Sequence, residues 1–187
     1  MIVAALAVVV AGCTTHSRCC TDGPDCTLVY DAHIIAVVLD GLKESADGFT
    51  DTVKFHAARS SDFKNSTDYL RELAIRGMNP AVFTYFGGAG VPTCTSNNPY
   101  DFGPENNAWC LVADQDQVTN LDYPMFFTRN AVQTIANGRT NWVLADVEPL
   151  GTNMCICLTQ NGAILRLEEK DIQSWSSKYP DMRILRP

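Results

Sequence analysis

The stretch from Cys155 to Leu167 constrains this chain more than any other. Two apolar runs, Cys155-Ile156-Cys157-Leu158 and Ala163-Ile164-Leu165-Arg166-Leu167, flank Asn161-Gly162. Asn-Gly between apolar runs favours a type I′ turn, because both central residues need positive φ. The expectation is an antiparallel hairpin. Ala108 to Ala113, Met125 to Thr128 and Trp142 to Ala145 read as further short strands. Upstream, Leu28, Val29, Ile34, Ile35, Val37, Val38, Leu39 and Leu42 recur at helical spacing. That pattern predicts a helix over 27–46, ended by Asp47-Gly48. Asn65-Ser66-Thr67-Asp68 caps a short helix carrying Tyr69, Leu70, Leu73 and Ala74, with Gly77 just past its end. Glu168 to Trp175 reads as one more short helix. Helices come first and hairpin-joined strands follow. The fold class is therefore α+β, an N-terminal apolar helix and then a helix packed on a small antiparallel sheet.

The segments between these elements read as loops. Residues 93–107 contain Asn97-Asn98-Pro99 and Gly103-Pro104. Gly87-Gly88-Ala89-Gly90 has the glycines of a phosphate loop, but Val91-Pro92 stands where a Gly-Lys-Ser/Thr ending is needed.

A chain of 187 residues fits one domain with an appended segment: 1–26, apolar and then Cys-rich, ahead of a globular 27–187. With 46% hydrophobic and 19% charged residues it buries a core instead of staying disordered. Its net charge of −7, with no Lys/Arg cluster, repels phosphate backbones, so no nucleic-acid partner is expected.

The start of the chain, Met1 to Gly12, is uncharged and apolar. A hydrocarbon core needs about 20 such residues in a helix, so this run is too short to span. A signal peptide begins with a basic region, which is absent here. Val10-Ala11-Gly12-Cys13 has the form of a lipobox, which makes Cys13 a lipidation site in one reading. In another, the run is the inside of a longer helix whose start lies upstream of Met1.

Eight cysteines are many for this length. An exported chain pairs some of them. Cys94 and Cys110 bracket a turn-rich loop, which a disulfide between them would constrain. His16 with Cys13, Cys19, Cys20 and Cys26 has the composition of a zinc set but the spacing of no standard finger. Cys155 and Cys157 share one face of a strand and read as small core residues.

Three groups of residues carry a family resemblance. They are Glu105-Asn106-Asn107-Ala108-Trp109-Cys110-Leu111-Val112-Ala113-Asp114, Tyr123-Pro124-Met125-Phe126-Phe127-Thr128-Arg129-Asn130 and Gly162-Ala163-Ile164-Leu165-Arg166-Leu167. Together they resemble a branch of the type IV pilins and type II secretion pseudopilins, over about 27–170. Asp31 to Leu39 is similar to the helix of that family where it leaves the membrane, and Ser66 to Leu73 to the short helix after it. The apolar run Met1 to Gly12 is similar to the inside of its N-terminal helix. Two departures stand out: the peptidase motif is absent, and the Cys-rich Gly23-Pro24 stretch interrupts what is a nearly continuous helix in the family.

The resemblance implies a structural subunit, not an enzyme. Its N-terminal helix is anchored in the inner membrane and its head lies outside it, in the cell envelope or in an assembled filament. Its implied partners are copies of itself, other pilins or pseudopilins, and an inner-membrane assembly platform. Major pseudopilins hold calcium in a loop near the C-terminal sheet. Here Asp114, Asp116 and Asp122 offer oxygen ligands in one loop, against the alternative of a solvated acidic loop. The alternative function is a small envelope lipoprotein tethered at Cys13 with a binding role.

Catalytic readings have little to rest on. His16, His33 and His56 are the only histidines. His56, Ser60, Ser61 and Asp62 include triad residue types without a nucleophile-elbow pattern. Asp146 and Glu148 sit beside Pro149-Leu150-Gly151, which reads as a turn.

Overall fold

A computed structural model of the chain describes residues 23–44, 61–115, 122–180 and 182–187. The order of elements is α1 (Pro24–Glu44), α2 (Ser66–Ile75), β1 (Trp109–Ala113), β2 (Pro124–Thr128), β3 (Ala131–Ala136), β4 (Arg139–Leu144), β5 (Cys155–Thr159), β6 (Ile164–Leu167), α3 (Glu169–Gln173), α4 (Trp175–Lys178) and β7 (Arg183–Leu185). Pro24 opens α1, a position where the missing N–H costs nothing. The helix therefore starts three residues before the expected position 27. Lipidation at Cys13, the zinc set with His16 and the apolar run 1–12 all lie outside the described residues. Among the described residues, no helix is long and apolar enough to cross a membrane.

Five strands form an antiparallel sheet in the order β6-β5-β2-β1-β7. A separate hairpin, β3–β4, makes a second sheet. The α+β class of the sequence reading therefore holds for the described part. Strands β1, β2 and β5 are buried along their whole length. Both faces of the sheet are covered, so the in–out alternation of a half-buried strand is lost.

One face packs Leu111, Ala113, Phe126, Ile156, Leu158 and Leu185 under the two long helices. From α1 this core takes Leu28, Ala32, Ile35 and Leu39, a stripe at helical spacing. From α2 it takes Tyr69, Leu70 and Leu73. The other face packs Cys110, Val112, Phe127, Cys155 and Cys157 under Trp142 and Leu144 of the hairpin and Ile172, Trp175 and Tyr179 of the C-terminal helices. The molecule is thus three layers deep, helices over sheet over hairpin and short helices.

Local chemistry sets α2. The Asn65 side chain accepts the Asp68 N–H at 2.7 Å. At the other end Met78 N–H donates to Leu73 O (2.9 Å) and Gly77 N–H to Ala74 O (3.3 Å), the paired bonds of a Schellman stop. Gly77, at φ +133°, has the conformation only glycine adopts freely. Residues 80–86, read as loop, instead form a 3-10 segment (Pro80–Phe86) whose Asn79 side chain caps Ala81 N–H. Two shorter ones follow, Pro99–Asp101 and Pro104–Asn106.

The hairpin that opened the sequence reading is present, but its turn differs. Gly162 has φ +80°, whereas Asn161 is not at positive φ. Thr159 N–H donates to Ala163 O (2.9 Å) and Gly162 N–H to Thr159 O (3.0 Å), which encloses residues 160–162 in a longer loop. Gln160 is held from outside, its N–H on Tyr123 O (3.0 Å) and its amide on Gln115 Oε1 (2.8 Å). Those tertiary bonds favour the three-residue loop. The type I′ turn is at the chain's other Asn-Gly, Asn137-Gly138, with φ +52° and +72° and Ala136 paired with Arg139.

Candidate functional site

Two of the three groups of residues that carry the resemblance, Glu105 to Asp114 and Tyr123 to Asn130, meet beside the sheet, where Arg129 reaches Asn107. Asn107 is fully buried between α2 and β1. Its amide nitrogen donates to Ser66 Oγ (3.0 Å) and Thr67 Oγ1 (3.1 Å), and its oxygen accepts Trp109 N–H (3.0 Å). Ser66 Oγ in turn donates to Trp109 O (2.9 Å). Arg129 spreads its guanidinium over three backbone carbonyls, those of Glu148 (3.1 Å), Pro104 (3.1 Å) and Asn107 (3.0 Å). Asn130, buried beside it, donates to Gly151 O (2.7 Å) and Met154 O (2.8 Å). Arg186, near the C-terminus, reaches Ala131 O (3.1 Å) and Arg129 O (3.4 Å). The planar, always-charged guanidinium suits this bridging of carbonyls. The arrangement binds backbone to backbone and points no reactive group outward. It is a clamp that holds the loops around β1, β2 and β5 in place.

A second feature lies on the helix face. Asp31 of α1 is only 7% exposed. It has no hydrogen bond or ion pair among the described residues. Its Oδ2 lies 3.2 Å from where a Cβ on Gly88 would be, and the Thr27 methyl lies 3.8 Å from the same point. Gly88 (φ +95°), Ala89 (φ +50°) and Gly90 (φ +94°) form a tight turn closed by Gly88 N–H to Val91 O (2.8 Å) and Val91 N–H to Gly88 O (3.1 Å). At its far end the Glu148 carboxyl occupies the place a Cβ on Gly90 would take. The glycine-rich stretch is thus a turn that lets two carboxyl groups approach its backbone, and no phosphate cradle.

Burial raises the Asp31 carboxyl to about 7, from its ordinary value of 3.8. Between those values the native state binds more protons than the unfolded chain, so stability falls as pH rises through that window. Asp31→Asn removes the effect. The variant is expected to be more stable than the parent by about 1–2 kcal/mol at pH 8, the access of water to the carboxyl limiting the gain. At pH 4 the difference is expected to vanish. Thermal melts at the two pH values check this; equal differences at both would contradict it.

The thiols occupy a third place. Cys110, Cys155 and Cys157 are buried on one face of the sheet, all unbridged. Burial pushes Cys110 and Cys155 up to about 12 and Cys157 well above its usual range, so all three stay neutral thiols. The expected Cys94–Cys110 bridge is not formed: both cysteines are free, and Cys94 packs in the helix-side core while Cys110 packs in the opposite one. A sheet stands between those two cores, and the loop they bracket is held by side-chain caps at Asn98 and Asn106 instead.

Of the acidic loop, Asp116 lies outside the described residues. Asp114 has φ +58° just after β1. Asp122 accepts Asn161 Nδ2 at one carboxylate oxygen (3.2 Å) and Tyr179 Oη–H at its carbonyl (3.2 Å). No group of three or more metal-ligating side chains occurs among the described residues. His33 is exposed on α1, Ser61 Oγ donates to Asp62 Oδ1 (2.9 Å), and Asp146 and Glu148 are exposed in the β4–β5 connection. His16, His56 and Ser60 lie outside the described residues. Sequence reasoning passed over Asp31, though a lone acid on the inner half of an apolar helix face was a visible signal. It also passed over the division of labour between Asn106 and Asn107.

No family model, no curated protein and no solved structure matches this chain.

Proposed function

We propose that the chain is a structural subunit of a pilus-like or pseudopilus-like filament, assembling through its N-terminal helix, with the head outside the inner membrane in the cell envelope. One observation carries the reading. Helix α1 carries exposed apolar side chains opposite its buried stripe: Leu28, Ala32, Ile35 and Leu39 cover the sheet, while Tyr30 and Val37 are exposed at 59% and 48%, beside the exposed Thr27 and His33. In a filament, neighbouring helices supply cover for these exposed apolar side chains. The clamp formed by Asn107, Arg129 and Asn130 fits this role, because it stiffens a head that works by its shape. Copies of the chain, related subunits and a membrane assembly platform are the partners this reading implies, and no catalytic step is assigned.

The test is the intact mass and N-terminal sequence of protein extracted from its native envelope, with the surface fraction sheared and sedimented. The expected result is a chain extended upstream of Met1, beginning at a methylated residue and recovered in the sedimenting fraction. A chain beginning at a lipid-modified Cys13 and staying with the membranes would overturn the proposal in favour of a tethered lipoprotein.

A further inference from the structure

The chain has two Asn-Gly pairs, Asn137-Gly138 and Asn161-Gly162. A glycine after asparagine leaves its backbone nitrogen unshielded by a side chain, so that nitrogen attacks the asparagine amide carbon more readily than another residue's would. The fold sets the two pairs apart. At the second pair both reacting groups are held. Asn161 Oδ1 accepts Ala163 N–H (3.0 Å) and the Thr159 hydroxyl (2.5 Å), and Asn161 Nδ2 donates to Asp122 Oδ1 (3.2 Å). Gly162 N–H donates to Thr159 O (3.0 Å). The residue before them, Gln160, is tied to Tyr123 O and Gln115 Oε1.

At the first pair neither group is held. The Asn137 side chain makes no hydrogen bond among the described residues, and neither does the Gly138 N–H. The surroundings also give way easily. Every residue from Gln133 to Asn141 is exposed. Ser176 Oγ donates to Thr140 O (2.7 Å), yet residues 134–139 make no hydrogen bond to the rest of the molecule among the described residues. A two-stranded ribbon with no core beneath its tip is marginal by itself. Its tip opens locally at small cost while its buried base, Ala131, Trp142 and Leu144, stays closed. That opening gives the Gly138 nitrogen the freedom to reach the Asn137 amide carbon.

We infer that Asn137 is a site of spontaneous modification in the folded protein, deamidating through a cyclic imide with water as the only co-reactant, while Asn161 is protected. Gly138 N gives up its proton to solvent and bonds to Asn137 Cγ. The side-chain nitrogen leaves as ammonia, taking up a proton, and the five-membered imide closes. Water then adds to one of the two imide carbonyls, and the ring C–N bond breaks with a proton passing to the nitrogen. Opening at the side-chain carbonyl gives aspartate. Opening at the backbone carbonyl gives isoaspartate, whose main chain runs through the former side chain. Nothing is oxidised or reduced. Both products put a carboxylate at the hairpin tip, two residues from Arg139. Isoaspartate also lengthens the chain between Ala136 and Arg139 by one bond, which a two-residue type I′ turn does not absorb without disturbing that pair. The inference does not depend on the filament reading.

The test holds the folded full chain in warm, mildly alkaline buffer made with heavy-oxygen water, samples it over days, and digests each sample with trypsin in ordinary water. The heavy label marks conversion that preceded digestion. Cleavage after Arg129, Arg139 and Arg166 puts Asn137 in peptide 130–139 and Asn161 in peptide 140–166. Electron-transfer fragmentation locates the converted residue and separates isoaspartate from aspartate. The expected result is label uptake at Asn137 about tenfold faster than at Asn161, or more, because several hydrogen bonds must first break at the second pair. In urea the two rates are expected to converge, since no structure then protects either. Equal rates in the folded protein, faster conversion at Asn161, or conversion at Asn137 only in urea would each overturn the inference. A ratio that persists in urea would overturn it too, because the difference would then lie in the neighbouring residues and not in the fold.

Discussion

Asn107→Leu is expected to destabilise the protein by about 3–4 kcal/mol, read as a lower urea midpoint at unchanged slope. Leucine has nearly the shape of asparagine but none of its polar atoms. The substitution leaves the Thr67 hydroxyl and the Trp109 N–H without the partners they have at 3.1 and 3.0 Å, and takes one donor from the Ser66 hydroxyl. All of these groups are buried, so no water replaces the lost bonds. Each orphaned buried group costs about 1–3 kcal/mol, while the apolar gain of leucine is small in a site lined by polar atoms. Asn106→Leu is the control. That side chain accepts Gly103 N–H (3.1 Å) and donates to Pro92 O (3.2 Å) at a partly exposed site. Its loss is expected to cost about 1 kcal/mol. Equal effects at the two positions would contradict the assignment of Asn107 as the buried tie between α2 and β1.

Phe127→Ala is expected to cost about 3–5 kcal/mol and to loosen the C-terminal layer specifically. Phe127 is fully buried and meets Trp142 and Trp175 edge-on, with ring centroids 5.4 and 5.3 Å away. The two tryptophans meet each other at 5.0 Å, so three rings touch pairwise. Edge-on pairs contribute about 0.5–1.5 kcal/mol each beyond the area they bury. One ring comes from β2, one from the hairpin and one from α4, and the triad therefore joins three separate elements. Removing Phe127 leaves a cavity that the opposed tryptophans cannot fill without separating. The near-ultraviolet dichroism of the tryptophans is expected to weaken, and amide exchange of 139–144 and 169–178 to quicken more than that of α2. A uniform loss of protection across the molecule would contradict this localisation.

Much of the local structure was legible because its causes are local. Asn65 and Gly77 mark the ends of α2, since a side-chain cap and a left-handed stop act within a few residues. The strands around Leu111, Phe126 and Ile156 announce themselves by apolar runs. Strand β3 escaped because Gln133 and Thr134 lie in an exposed ribbon with no buried face to impose a pattern. Strand β7 escaped because three residues carry no periodicity, and its pairing with β1 depends on a partner some seventy positions away.

The sequence by itself determined the α+β class, the caps of α2, the β5–β6 hairpin and the acidic charge, because propensity, turn chemistry and charge are properties of neighbouring residues. Only the tertiary structure decided which Asn-Gly takes the type I′ turn, which of two adjacent asparagines is buried, why Cys94 and Cys110 stand apart, and where Asp31 lies. Each of those depends on which distant residues share a hydrogen bond or exclude water, and contacts of that kind leave no periodic mark along the chain.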